Sequence, residues 1–446
     1  GSPLRYARND ELIRGSLNEL SGYLIRNSYL EKFDDRKYDD KNDRGRNVNK
    51  SVKYLLVTQF ATAFADRAVF FILFVIIGKF DTLPGWYTPL VQLAFILAYV
   101  LFAPWAGAYS DSRPKRNVLL HGNIIKLIGL AVLFLYIIPG VTQWALLFGY
   151  FLIGIGAVMF SPAKYGLIPE LVEKEKLVKT NAWLEGSTII AVLAGQYVGA
   201  SLGEFNLNIA LMIAAAIYGF STLLAFGVEI TLVEHKPKKS FFKDFISDYK
   251  ALLKHDVVRF ALLGVSLFWS VAAVLQVLLL DWAKVAVNLT NASDISVLGI
   301  FIGIGIVIGS TIVPRLISLH NLRRTRFAAY CLGGFIILLS QLTSLYPVYI
   351  VLIFIGVSGG ILVVPINAAL EEVGHKTIGS GGAVAVQRFS ENFSMLISLM
   401  VYTAILALDI SPGVIMLFMG GIILILTALI GLNLPRRDTE LLEDEA

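Results

Sequence analysis

Long apolar segments follow one another along most of the chain. Hydropathy resolves twelve of them, each long enough as a helix to cross the ~30 Å hydrocarbon core of a bilayer. They cover residues 53–80, 87–109, 117–138, 143–163, 180–203, 207–231, 258–285, 294–317, 326–345, 347–367, 381–408 and 412–434. The pattern predicts an all-α integral membrane protein with twelve transmembrane helices.

The first span carries two charged residues near its centre. Asp66 and Arg67 lie roughly 15–18 Å from the nearer end of the apolar run 54–77, too far for easy snorkelling. A charge at this depth costs roughly 2.5–3.5 kcal/mol, so both should face other helices or a water-filled cavity. Neighbours in a helix point about 100° apart, so we expect the two to have different partners.

A polar stripe runs along the same span. Gln59, Thr62 and Asp66 recur at helical spacing, which predicts the lining of a pore or cavity. The alternative interpretation is a structural ion pair that holds helices together. If Asp66 binds substrate, Asp66→Asn should abolish transport and leave folding intact, whereas loss of folded protein would indicate the structural role.

Composition and charge support a membrane protein and predict its orientation. Of 446 residues, 56% are hydrophobic and 16% are charged, against about 25% charged in soluble proteins. Nineteen Lys and Arg residues lie in loops after even-numbered spans and two, Lys79 and Lys284, after odd-numbered ones. We call the side of the even loops the basic side. The positive-inside rule predicts that this side and both termini are cytoplasmic. Topology and anionic membrane lipids explain the basic loops, so no nucleic acid is expected as a partner.

Polar segments flank and divide the spans. Before residue 51, apolar residues at helical spacing predict a short amphipathic helix, and 34–46 predicts disorder. Gly1-Ser2 resembles the remnant of a tag, and no signal peptide is expected. An amphipathic helix is also predicted between the sixth and seventh spans. The predicted organisation is an extension (1–50), a first six-helix half (51–231), a linker helix (232–257), a second six-helix half (258–435) and a cytoplasmic tail (436–446).

The two halves repeat one polar pattern. Near the start of the fifth and eleventh spans an amide precedes a glutamate by one turn, as Asn181 and Glu185 and as Gln387 and Glu391. This spacing places the amide and the carboxylate on one helix face. Matching features in two halves predict a pseudo-symmetric transporter whose binding site lies between them.

Glycines spaced by four residues predict close helix packing. They occur in the fifth and eighth spans, as Gly195, Gly199 and Gly203, and as the pairs Gly299/Gly303 and Gly305/Gly309.

The loop after the second span carries a recognisable motif, built on Gly107, Asp111, Lys115 and Arg116. Its sequence, GAYSDSRPKR, resembles the Gly-xxx-Asp-x-x-x-x-Arg signature of the major facilitator superfamily, and implies that superfamily's fold. The glycine would allow close helix approach, and the aspartate and basic residues would form a cytoplasmic gate. The alternative is a basic loop with an incidental aspartate.

Longer strings resemble a narrower family. Those around Asp66 (QFATAFADRAVFF), Lys164 (FSPAKYGLIPELVEKEKLVKTNAWLEGSTI) and Glu391 (the stretch ending QRFSEN) are similar to lysophospholipid transporters of Gram-negative inner membranes, and the resemblance covers roughly 52–437. It implies inward movement of lysophospholipids, chiefly lysophosphatidylethanolamine, between leaflets by alternating access. A cytoplasmic acyltransferase/acyl-carrier-protein synthetase would then reacylate them. We expect a monomer with no cofactor, metal or enzymatic activity.

The resemblance and the substrate chemistry together suggest site residues. A carrier of lysophospholipids needs a carboxylate for an ammonium, a cation for the phosphate and an apolar route for the acyl chain. Gln276 stands where the family is expected to have an arginine, and Arg67 is a candidate for the missing cation. The predicted substrate-binding residues are Asp66, Arg67, Lys164, Glu185, Gln276, Arg388 and Glu391.

A different function would produce many of the same features. A proton-coupled exporter of amphiphilic drugs would share the spans, the loop motif and the buried acids, and one of its carboxylates would titrate during transport. Its activity would depend on the proton gradient, and cationic drugs would compete for it.

Overall fold

The computed structural model describes residues 50–80, 82–228, 241–317, 319–378 and 380–432. The predicted amphipathic helix and disorder before residue 50, and the predicted cytoplasmic tail, lie outside these ranges. From Tyr54 onward the described residues group into one unit. Every regular element among them is helical, because a chain inside a bilayer must satisfy its backbone hydrogen bonds within each segment.

The first half contains six helices: α1 (Lys50–Gly78), α2 (Tyr87–Asp111), α3 (Lys115–Leu133), α4 (Thr142–Leu171), α5 (Lys174–Phe205) and α6 (Leu207–Ala225). The second half contains six more: α8 (Asp256–Ala286), α9 (Ala292–Leu316), α10 (Thr325–Ser340), α11 (Leu345–Ile378), α12 (Ser380–Leu406) and α13 (Pro412–Leu432). Between them lies α7 (Phe241–Leu252), and two short 3₁₀ helices cover Phe134–Ile137 and Leu319–Arg324.

Eleven helices of the described residues are long and apolar enough to cross a membrane. The ninth predicted span is the exception, because α10 has only 16 residues and ends at Ser340 instead of 345. Polar residues follow directly, beginning with Gln341, and the chain leaves the helix there. Two other helices are longer than predicted. Helix α4 ends at Leu171 instead of 163, and α11 ends at Ile378 instead of 367.

The polar stripe of α1 is buried inside the first half. Gln59 Nε2 donates to Thr188 Oγ1 (3.0 Å), and the hydroxyls of Thr62 and Ser221 lie 2.6 Å apart. Thr62 Oγ1 also donates to Asn123 Oδ1 (3.3 Å). The prediction that this stripe lines a cavity is therefore wrong for Gln59 and Thr62, whose polar groups instead join α1 to α3, α5 and α6.

The halves meet through α2 against α12 and α5 against α9. Two contacts of α5 with α9 are polar: Gln196 Nε2 donates to the Ser296 carbonyl (3.0 Å), and the Ser293 amide and hydroxyl donate to the Glu204 carboxylate (3.0 and 2.6 Å). The Glu204 contact lies at the ends of α5 and α9 remote from the basic side, and the Gln196 contact lies nearer the middle of the bundle.

Within the predicted linker (232–257), the described residues form α7, which packs on α12, and residues 232–240 lie outside the described ranges. The rings of Phe245 and Tyr249 contact the Phe389 ring, with centroids 5.4 and 6.4 Å apart, and Leu252 is buried. The apolar face of this amphipathic helix thus covers part of the second half beside the candidate site.

Glycines allow several helices to approach at backbone distance, as the sequence predicted. A Cβ at Gly195 would lie 2.5 Å from the Phe64 carbonyl oxygen of α1, and one at Gly309 would collide with the Val357 carbonyl oxygen of α11. Since a helix backbone cannot move away locally, such glycines determine how closely two helices pack.

Gly309→Ala should therefore destabilise the fold by about 1–3 kcal/mol, the usual effect of overpacking. Gly219→Ala is the matched control, because a Cβ at Gly219, also inside a helix, would meet nothing within 4 Å. That change should be neutral or slightly stabilising. Thermal unfolding of both purified variants in detergent tests this, and equal unfolding temperatures would contradict it.

Candidate functional site

Asp66 is paired inside the first half with a residue that the sequence analysis missed. Lys126 Nζ of α3 lies 2.8 and 2.6 Å from the two carboxylate oxygens, and the Tyr218 hydroxyl of α6 donates to Oδ1 (2.7 Å). The Lys126 side chain is 1% exposed and that of Asp66 is 23% exposed. Lys126 is therefore the cation that pairs with Asp66, and Arg67 lies beside it in the chain without taking part in this ion pair. This geometry favours the structural ion pair that the sequence left open.

Lys126 could have been found from the sequence. It is a lone cation near the middle of the third apolar span, which is the same feature that drew attention to Asp66. A count of basic residues that is restricted to the loops does not include Lys126.

Arg67 has a different partner from Asp66, as predicted. Its Nη2 donates to Gln196 Oε1 (3.4 Å), and its guanidinium carbon lies 5.7 and 5.5 Å from the ring centroids of Phe70 and Phe71. Its Nε is buried without a hydrogen-bond partner in the described residues. Gln196 in turn donates to α9, so Arg67 is joined to a contact between the halves. We call Asp66, Arg67, Lys126, Gln196 and Tyr218 the midplane cluster.

A second group of charges lies nearer the basic side. The Tyr165 hydroxyl of α4 donates to Glu185 Oε1 of α5 (2.6 Å), and Lys164 Nζ lies 4.6 Å from the centre of the Tyr165 ring. Both Lys164 and Glu185 interact electrostatically with Arg388 of α12. The two halves therefore contribute charges to one site.

The second half holds Glu391 firmly. Gln387 Nε2 donates to Glu391 Oε1 (2.8 Å), as the one-turn spacing predicted, and Arg388 Nη1 lies 3.1 Å from Oε2. The Glu391 side chain is 3% exposed, whereas that of Arg388 is 43% exposed. Asn367 Oδ1 accepts a further bond from Gln387 (3.1 Å). Arg388 is thus the accessible member of this pair. We call Lys164, Tyr165, Glu185, Arg388 and Glu391 the cleft cluster.

Two tyrosines lie within electrostatic range of charges in the clusters. Tyr150 of α4 interacts electrostatically with Arg67 and Asp66, and Tyr99 of α2 interacts with Asp66, Tyr165 and Arg388. Charges of both clusters therefore lie near enough to Tyr99 to interact with it.

Gln276 lies on α8 with its Nε2 buried and without a hydrogen-bond partner in the described ranges. Lys284, farther along α8, lies with Nζ 4.8 Å from the centre of the Phe74 ring of α1. Helices α1 and α8 both begin on the basic side. Gln276 lies about two turns before Lys284 on α8, and Arg67 lies about two turns before Phe74 on α1, a distance of roughly 10–12 Å in each case. Gln276 and Arg67 therefore lie at similar depth.

The predicted gating residues lie where α2 ends and α3 begins. Lys115 Nζ pairs with Glu170 Oε1 of α4 (3.0 Å), and Arg116 Nε is buried without a hydrogen-bond partner in the described part of the chain. Gly107 is half-buried near the end of α2. Asp111 is the last residue of α2, and its side chain lies outside those described. The gate itself remains a prediction.

An apolar groove of about 810 Å³ opens between α2, α3, α4 and α12, toward the side opposite the basic one. Large hydrophobic side chains line it and several are exposed, including Trp144, Phe148 and Met400. The groove has the size and apolar lining of a small-molecule site. The remaining lining residues are Leu90, Leu93, Ala94, Leu97, Val132, Leu135, Val141, Ala145, Leu147, Phe151 and Leu396.

The site therefore offers two kinds of surface. The clusters present exposed and half-buried charges contributed by both halves, and the groove presents an apolar surface between α2, α3, α4 and α12. An amphiphile with a charged head and an apolar tail matches both.

A profile described as Major Facilitator Superfamily matches residues 55–385. The chain is similar to the protein named Lysophospholipid transporter LplT of Photorhabdus laumondii subsp. laumondii, with 36% identity over 367 residues, covering 81% of this chain and 90% of that protein. It is equally similar to the protein of that name in Escherichia coli O1:K1 / APEC, with 36% identity, covering 80% and 88%.

Solved structures share the fold. A POT family transporter in complex with 5-aminolevulinic acid has a TM-score of 0.68 and 15% identity, covering 85% of this chain and 95% of that one. A bacterial homologue of the iron transporter ferroportin in an outward-facing state has a TM-score of 0.59 and 16% identity, covering 86% and 98%. At these identities the likeness concerns the fold alone.

Proposed function

Since the chain belongs to the major facilitator superfamily and, within it, to the family of the proteins named lysophospholipid transporter, we propose that this transporter carries lysophospholipids between the leaflets of a bacterial inner membrane. The observation that carries the proposal is the pairing of surfaces at the site. Charged residues of both halves would bind the headgroup, and the apolar groove, which helices of both halves line, would hold the single acyl chain.

The proposed direction is from the outer to the inner leaflet. The positive-inside rule supports placing the basic side and both termini in the cytoplasm, which puts the groove at the level of the outer leaflet. An acyl chain in that groove would remain in an apolar environment and would avoid exposure to water, which costs about 0.8 kcal/mol per CH₂. A cytoplasmic acyltransferase would then consume the lipid.

Alternating access would use the contacts between the halves. In the described residues the Ser293–Glu204 bonds join the ends of α5 and α9 remote from the basic side, and the Gln196–Ser296 bond joins the same helices nearer the midplane. Opening the outer side would break them. The cleft cluster would then bind or release the headgroup on the cytoplasmic side.

Uptake by bacterial cells that lack their own lysophospholipid transporter tests the proposal. Cells that express this chain should convert labelled lysophosphatidylethanolamine or lysophosphatidylglycerol to diacyl lipid well above a vector control, with or without a protonophore. Lys254→Gln, an exposed change near the linker, serves as a matched control and should leave uptake unchanged. If neither lipid is taken up while the protein is in the membrane, the proposed substrate is wrong. Uptake that collapses with the protonophore would make the transport proton-driven, and competition by cationic drugs as well would favour the proton-coupled exporter.

A further inference from the structure

Every acid of the two clusters already has a partner within the protein. Asp66 is held by Lys126 and Tyr218, and Glu391 by Gln387 and Arg388. Glu185 accepts from Tyr165 and interacts with nearby cations. An ammonium group of a substrate would therefore have to compete with a bound protein donor at each carboxylate.

Arg67, by contrast, has a neutral hydrogen-bond partner and no carboxylate partner in the described residues. Its hydrogen bond goes to a neutral amide, Gln196, which is itself held by the Ser296 carbonyl, and its Nε has no partner in the described residues. A guanidinium without a carboxylate is costly inside a membrane and is typical of a functional position. Its planar donors match the oxygens of a phosphate.

The two clusters together contain more basic than acidic side chains. The two clusters contain four basic side chains, Arg67, Lys126, Lys164 and Arg388, and three acidic ones, Asp66, Glu185 and Glu391. The unmatched positive charge is that of Arg67, in the middle of the membrane, where attraction to a ligand charge is strong because the surroundings are poorly polarisable.

Resting on the proposed function, we infer that Arg67 is the phosphate-binding residue of this transporter and that the site prefers lysophospholipids with net negative headgroups to zwitterionic ones. A lysophosphatidylglycerol supplies one negative charge to Arg67 and needs no carboxylate. A lysophosphatidylethanolamine or lysophosphatidylcholine brings an ammonium for which each acid is already engaged. This reverses the preference for lysophosphatidylethanolamine that the family resemblance implied.

The test compares initial uptake of three labelled lysophospholipids with the same acyl chain and glycerol, ethanolamine or choline headgroups, in cells that express the full chain. The glycerol lipid should be fastest. Arg67→Gln should lower uptake of the glycerol lipid about tenfold, which is the effect of one lost charge-assisted hydrogen bond. The three lipids should then be taken up at similar rates. Arg67→Lys, which keeps the charge, should retain part of the preference.

Arg259→Gln is the matched control, because Arg259 is an exposed arginine at the start of α8 that pairs with Asp256, and this change should leave the ranking intact. The purified Arg67→Gln variant should unfold no earlier than the unchanged protein, since it loses a buried charge without a carboxylate partner.

Equal rates for the three lipids in the unchanged protein, or an unchanged ranking in Arg67→Gln, would overturn the inference while lysophospholipid transport stands. Early unfolding of Arg67→Gln would assign Arg67 a structural role instead. Uptake of none of the lipids would overturn the proposed function, and the inference with it.

Discussion

Asp66→Asn should cost about 3–5 kcal/mol of folding stability, because it leaves the Lys126 ammonium buried without a counter-charge. Lys126 is 1% exposed and makes its hydrogen bonds to the two oxygens of Asp66. Asparagine offers one carbonyl oxygen and no charge, so the lysine must remain charged at a high cost or lose its proton. The measurement is the yield and thermal unfolding of the variant purified in detergent.

The double variant Asp66→Asn with Lys126→Met distinguishes the cost of an unpaired buried charge from the cost of altered packing. Methionine has nearly the length of lysine and no charge, so the double variant should recover most of the lost stability. Tyr218→Phe removes one hydrogen bond to Asp66 and should cost only about 1–2 kcal/mol. If Asp66→Asn folds as well as the unchanged protein and still loses transport, Asp66 binds substrate and the structural role is wrong.

Joining α5 to α9 across the halves should reduce lysophospholipid uptake nearly to the vector background. Glu204 and Ser293 are hydrogen bonded at the ends of these helices remote from the basic side. Alternating access requires this contact to open in each cycle, so a covalent link there should hold the protein with its outer side closed. Cysteines at these two positions, joined by a short reducible bifunctional thiol reagent, would make the link. Uptake should return after reduction.

The controls use the same chemistry. Cys331, the single cysteine of the chain, is first replaced by serine. A pair at Asn291 and Asp294, which contact each other within the second half at the same end of the bundle, should react without loss of uptake. Full uptake by the linked Glu204/Ser293 pair would mean that these ends do not separate during transport.

The sequence alone determined the features that depend on local chemistry. Apolar length predicts the spans, because each helix must cross the hydrocarbon on its own, although α10 is shorter than its apolar segment. Spacing by one turn predicts that Gln387 bonds Glu391, and spacing by four predicts that Gly309 packs on another helix. None of these needs knowledge of which helices are neighbours.

Only the tertiary structure decided the partners of the buried charges. Asp66 and Lys126 are 60 residues apart, so their pairing depends on α1 packing beside α3, and no local period encodes that. Packing of α1 beside α5 leaves Arg67 beside Gln196 instead of a carboxylate, and it buries Gln59, which was predicted to line a cavity. The groove likewise exists only where α2, α3, α4 and α12 converge. Hydrophobic partitioning acts on each segment separately, whereas ion pairing acts between segments, and so the sequence located the charges and the fold paired them.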